Sequence, residues 1–131
     1  MLKQLRSALA LFILVLFTSF SFAATTFAND NTNAVFKLVP TKNIWTFIKL
    51  DTSTGAVWQV HYSVDKDSQS AILPISLDAL TPTPAKDTFD IYPTENIYNF
   101  LLIDRTDGRV WQVQWSYDIK ERFIRRIYNL Y

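Results

Sequence analysis

The sequence predicts an all-β protein made of two tandem four-stranded antiparallel repeats. Three observations predict it. Residues 36–65 and 89–118 superpose at an offset of 53 with 14 identities in 30 positions, so one structural unit occurs twice. In each copy a run of period two, Trp58-Val60-Tyr62-Val64 and Trp111-Val113-Trp115-Tyr117, marks a strand with one apolar and one more polar face. The two glycines of the chain, Gly55 and Gly108, close equivalent Asp-x-x-x-Gly turns, where a positive φ costs glycine nothing.

A lone four-stranded unit cannot cover its aromatic face. The two copies are therefore expected to pack as one pseudo-twofold β-sandwich or open barrel. The alternative is a set of propeller-like blades completed by oligomerisation, since propellers need at least four blades.

The chain opens on a predicted signal peptide, residues 1–23. Lys3 and Arg6 precede the uninterrupted apolar run Leu9–Phe17, and Ser21 with Ala23 suits a cleavage site. Thr26 and Ala28 offer a later one. The apolar run is shorter than the roughly 20 residues a spanning helix needs. Export to the periplasm or the extracellular space is the expectation, with no integral membrane segment after cleavage. Losing the leader removes two of the thirteen basic residues and none of the twelve acidic ones. Eleven against twelve is no basic field for nucleic acid. The chain contains no cysteine, so disulfides, thiol chemistry and a lipoprotein anchor are excluded.

Residues 29–131 are expected to form a single β domain, with repeat one at 36–80, a linker at 81–88 and repeat two at 89–131. Asn29–Asn33 is polar and reads as a loose tail. Each repeat opens on a short run ended by proline, Phe36–Val39 before Pro40 and Phe89–Tyr92 before Pro93. Proline lacks the amide proton of a central ladder, which places these strands at a sheet edge. The Pro-Thr-x-Asn that follows in each copy is a turn. Ile44–Leu50 and Ile97–Ile103 are apolar on both faces, as a strand covered on both sides would be. A four-residue loop at the Asp-x-x-x-Gly turn sets Trp58 opposite Lys49, Val60 opposite Phe47 and Trp111 opposite Leu102. It also sets Asp104 against Arg109, whereas a three-residue loop would oppose Arg105 and Arg109. Ala71–Leu77 is the fourth strand, edged by Pro74. Its counterpart lies in Arg122–Tyr131, where strand is preferred over a short helix because Ile124–Ile127 echoes Ile72–Ile75 with a one-residue shift. Thr81–Lys86 is a proline-spaced linker.

The NxWxFIxLDxxxGxVWQV hairpin resembles that of short, mostly uncharacterised exported bacterial proteins with tandem "LDT-x-TG-x-x-W" β-meander repeats. The resemblance spans both copies, residues 36–65 and 89–118. It implies the meander and export, and it carries no catalytic residue, cofactor or substrate.

Candidate chemistry is sparse. His61 is the single histidine, and copy two has Gln114 in its place. It lacks the ligand partners a metal site needs and the nucleophile a general base would serve. Asp51 and Asp104 recur like a paired-carboxylate site, but the turn accounts for both. Gln59 and Gln112 sit in Trp-Gln-Val on the face opposite the aromatics. Together with His61 and Gln114 they form the candidate ligand-facing row. Trp45, Trp58, Tyr62, Trp111, Trp115 and Tyr117 are expected chiefly in the core. An exposed member beside Asn or Gln would suit stacking on a sugar ring. The reading is an exported, non-catalytic binding or interaction module, with no cofactor and no metal, whose partner is a protein or glycan of the cell envelope. The alternative is a carbohydrate-binding, lectin-like module with two similar sites.

Overall fold

The computed structural model describes residues 34–131. The leader and the Asn29–Asn33 tail expected from the sequence lie outside the described residues. Repeat one contains β1 (Phe36–Pro40), β2 (Thr46–Asp51), β3 (Val57–His61) and β4 (Ala71–Ser76). Repeat two contains β5 (Phe89–Pro93), β6 (Asn99–Asp104), β7 (Val110–Gln114) and β8 (Phe123–Ile127), with a 3-10 turn at Ile119–Glu121. Each repeat is one antiparallel meander in chain order, and the two sheets stay separate ladders, so no barrel closes. Both Pro40 and Pro93 end edge strands, and β8 is a strand rather than a helix.

The hairpin turn forms as its residues dictate. The Asp51 and Asp104 amides donate to the Ala56 and Arg109 carbonyls, and their carbonyls accept from the Gly55 and Gly108 amides, leaving four residues in each loop. Lys49 stands opposite Trp58, Phe47 opposite Val60 and Leu102 opposite Trp111. Arg109 reaches the buried Asp104 carboxylate at 3.0 Å. Asp51 Oδ1 accepts from the Ser53 amide and hydroxyl at 2.8 and 2.6 Å, and Asp104 Oδ1 accepts the same pair from Thr106. The Pro-Thr-x-Asn turns are equally alike. Thr41 and Thr94 hydroxyls cap Asn43 and Asn96, whose side-chain oxygens accept from the amides of Trp45 and Tyr98 at 2.9 Å.

Both glycines carry positive φ, 84° at Gly55 and 78° at Gly108. A side chain there costs about 1–3 kcal/mol in backbone strain alone. A Cβ on Gly55 would also lie 2.8 Å from Leu80 Cδ1, whereas one on Gly108 meets nothing within 4 Å. Gly55→Ala is therefore expected to lower the urea midpoint more than Gly108→Ala. Equal shifts would remove Leu80 from the account.

The two sheets pack as layers of one β-sandwich over a shared core of Val39, Ile48, Leu50, Val57 and the apolar face of repeat two. The symmetry between the layers departs from the expectation. A pseudo-twofold axis would bury the same face of both copies. Instead repeat one turns Thr46, Ile48, Leu50, Val57 and Gln59 inward, while repeat two turns Phe100, Leu102, Trp111, Val113 and Trp115 inward. At the offset of 53 these are opposite faces: Ile48 corresponds to the exposed Leu101, and the buried Val113 to the half-exposed Val60. Repeat two thus follows repeat one face to back.

Ion pairs mark the same displacement. Lys37 contacts Asp90 at 2.6 Å and Lys42 contacts Glu95 at 2.5 Å, and each pair joins equivalent positions of the two copies. The physical reason lies in the hairpin. Both of its faces are apolar enough to be buried, but repeat one has Lys49 where repeat two has Leu102. Burying an unpaired ammonium is costly, so the aromatic face of repeat one stays outside. There Lys49 Nζ rests over the Phe36 and Trp58 rings at 4.6 and 4.7 Å. Of the six aromatics expected in the core, Trp111 and Trp115 are buried, Trp58 is half-buried, and Trp45, Tyr62 and Tyr117 are exposed.

Candidate functional site

The face-to-back stacking divides the glutamine row into two halves with different fates. On β3, Gln59 is fully buried against repeat two. Its Oε1 accepts from the Ser116 amide at 3.2 Å, and its Nε2 donates to the Ser116 carbonyl at 2.9 Å. The side-chain amide thus pairs with a piece of backbone much as a neighbouring strand would. Nε2 also lies 2.7 Å from His61 Nε2, and Thr46 Oγ1 lies 3.0 Å from His61 Nδ1. Because the Gln59 amide nitrogen can only donate, His61 Nε2 accepts, and its proton sits on Nδ1 facing Thr46. The imidazole stacks on Tyr117 at 5.1 Å and meets the edge of Trp115 at 5.9 Å. Gln59 and His61 therefore bond and stack across the joint between the repeats.

Burial holds the His61 pKa below its ordinary value, and the Arg122 charge adds to the effect. The unfolded chain thus takes up this proton at a higher pH than the folded one. Stability is expected to fall as pH drops through the ordinary histidine range and to stop falling below the folded pKa. A charged imidazole would also set two donors, Nε2–H and the Gln59 amide, against each other. His61→Gln, which installs the residue found in copy two, should remove that slope. Thermal melts of both proteins between neutral pH and pH 5 check it.

Gln112 and Gln114 lie on the outer face of repeat two. Gln112 Nε2 donates to Asn99 Oδ1 at 2.6 Å, and its Oε1 accepts from Arg125 at 3.3 Å. Gln114 Nε2 donates to the Glu121 carbonyl at 2.9 Å and borders a polar cleft of about 250 Å³ with Asn96, Tyr98, Asn99 and Ser116. The matching place on repeat one is filled, because Ser116 and Tyr117 of repeat two occupy it. The four candidate residues thus form one filled socket and one open socket of the same design.

A second hollow, of about 420 Å³, opens on the outer aromatic face of repeat one, between Phe36, Leu38, Lys49, Val60 and Ile72. Phe36, Leu38 and Ile72 are 54%, 61% and 57% exposed, high for large apolar groups clustered on one patch. Reading the sequence as a core-forming aromatic stripe misses this surface. The available signal was Lys49, a charge at a position where copy two is apolar.

The recurring aspartates act in the turns. Burial works to raise both pKa values, but hydrogen bonds from Ser53 and Thr54 to Asp51, and from Thr106 and Arg109 to Asp104, outweigh it and hold both carboxyls below the ordinary range. Among the described residues, no group of three His, Cys, Asp or Glu could hold a metal ion, and no helix is long and apolar enough to cross a membrane. The chain matches no family model, no curated protein and no solved structure.

Proposed function

We propose that the protein is an exported, non-catalytic interaction module of the cell envelope that works through the outer faces of its two sheets. The observation that carries this reading is the uncovered aromatic face of repeat one, where Phe36, Leu38 and Ile72 stand more than half exposed around the hollow. An apolar patch of this kind on a small domain marks a contact surface. The charged leader and apolar run at the start of the sequence support export. The three titratable groups that the sequence singled out have structural partners, His61 in the inter-repeat joint and both turn aspartates in their loops.

Leu38→Glu places a carboxylate in that face at a position already open to solvent. Wild-type and variant protein, immobilised and exposed to a solubilised envelope fraction, test the reading. A species held by the wild type and lost by the variant is the expected result. Identical retention by both, or retention of nothing by either, would sink it.

One observation favours a second reading, a glycan site. Tyr98 is 43% exposed and shares the open cleft with Asn96, Asn99 and Gln114. A ring beside amides suits a sugar, with the apolar face of the pyranose on the aromatic and hydroxyls on the amides. The filled socket on repeat one reduces the two similar sites of the sequence reading to one. Tyr98→Ala should then abolish binding on a glycan array, and an array without hits would end the proposal.

A further inference from the structure

We infer that copies of this chain associate head to tail, the aromatic face of repeat one in one copy docking on the glutamine face of repeat two in the next. This rests on the interaction-module reading and names the partner of its surface. The junction inside the chain is heterologous: the Gln59 face of one unit meets the Trp111–Trp115 face of the following unit. Each chain therefore ends on the two halves of a junction it already makes once. Repeat two presents Leu101, Gln112 and Gln114, the counterparts of Ile48, Gln59 and His61. Repeat one presents Trp58, Val60 and Tyr62, the counterparts of Trp111, Val113 and Trp115. A head-to-tail contact of this type repeats until it closes a ring or runs on as a filament. Propeller blades are completed by the same face-to-back stacking.

Two further features fit a second copy in particular. In the internal junction, Ser116 and Tyr117 fill the socket on repeat one, with Gln59 holding the Ser116 backbone. The open socket at Gln114 would receive their counterparts, Ser63 and Val64, and Val64 is 78% exposed. Charge also alternates along the stack. Lys37 pairs with Asp90 and Lys42 with Glu95 at equivalent positions, so stacking the next copy brings its Lys37 and Lys42 to the Asp90 and Glu95 of the first. Opposite charges meet at every junction, whether within or between chains. Lys49 on the docking face rests on two aromatic rings, and Arg125 on the receiving face lies over Phe123 at 4.9 Å and donates to Gln112, contacts that offset part of the hydration each would lose.

The test uses two variants of the full chain, each blocking one face: Leu38→Glu on repeat one and Leu101→Glu on repeat two. Light scattering with size exclusion at micromolar concentration reads the mass. The wild type is expected as an oligomer, and each variant alone as a single chain. An equimolar mixture of the two should form a one-to-one dimer, because each variant keeps the face the other needs. Ile72→Lys and Ile127→Glu repeat the experiment at other exposed sites should a first variant not fold. A wild type with the mass of one chain overturns the inference. So does an oligomer that survives Leu101→Glu, which would mean like faces pairing, and so do variants that fail to dimerise when mixed. A single-chain wild type that still retains an envelope component lost by Leu38→Glu would overturn the self-association alone and leave the interaction-module reading standing.

Discussion

Trp115→Ala is expected to destabilise the protein by about 3–5 kcal/mol, the range for removing a large aromatic from a closed core. Tyr62→Ala, at the equivalent position of the other repeat, should cost about 1 kcal/mol or less. Trp115 is fully buried, and its indole nitrogen donates to the Ile97 carbonyl at 2.8 Å. Its ring touches Tyr98 at 5.0 Å within its own repeat and His61 at 5.9 Å across the joint. The alanine variant therefore leaves a cavity, an unpartnered carbonyl and an unsupported imidazole. Tyr62 packs on Trp45 and Phe47 at 5.5 and 6.1 Å, but it stands on the outer face and is 42% exposed. Its truncation gives space to water. Chemical denaturation of both variants in the Leu101→Glu background, which keeps the chain single, compares them directly. Equal losses would mean that both repeats bury the same face, contrary to the stacking seen here.

The contrast shows which level of the fold could be read from residues. Each turn is written locally: Asp51 and Asp104 cap their own loops, Gly55 and Gly108 supply positive φ, and the Asp104–Arg109 pairing decides the loop length. Strand register follows, because a one-residue slip would flip every side chain. None of this depends on the rest of the molecule. Which face each hairpin buries does depend on it. Ile48 and Leu50 on one side of β2 are as apolar as Phe47 on the other, so alternation alone leaves both choices open. The choice is settled between repeats, by Lys49 against Leu102 and by the Tyr117 ring that caps His61. Two local differences trace this global asymmetry, Lys49 where repeat two has Leu102 and Tyr117 where repeat one has Val64.

The candidate site divides along the same line. Treating Gln59, His61, Gln112 and Gln114 as one polar row was correct for the individual strands, since the residues do share the face opposite the aromatics. In the assembled layers the row divides, because the half on repeat one lies inside the joint. The sequence similarity that makes the repeats look interchangeable also conceals that they bury opposite faces. Positions alike in sequence meet different neighbours, and their substitutions should diverge accordingly.

Gln59→Ala against Gln112→Ala measures that divergence with the same residue in the same Trp-Gln-Val triplet. Gln59→Ala should cost about 2–4 kcal/mol. It leaves the half-buried Ser116 amide without an acceptor and His61 Nε2 without its donor, and it opens a void where Gln59 is closed to water. The Ser116 carbonyl is less affected, because Arg122 Nε also donates to it at 2.8 Å. In the single-chain Leu101→Glu background Gln112→Ala should cost about 0.5 kcal/mol or less, since its partners Asn99 and Arg125 can turn to solvent. A loss of 1 kcal/mol moves the Tm of a domain this size by about 4–8 °C, so the two variants should separate clearly in a thermal melt. Gln59→Ala should also lessen the pH slope assigned to His61, because the void admits water to the imidazole and removes the competing donor, while the Arg122 charge remains. A Gln59→Ala protein as stable as Gln112→Ala, with the slope intact, would show that the amide–backbone pairing between Gln59 and Ser116 does not hold the repeats together.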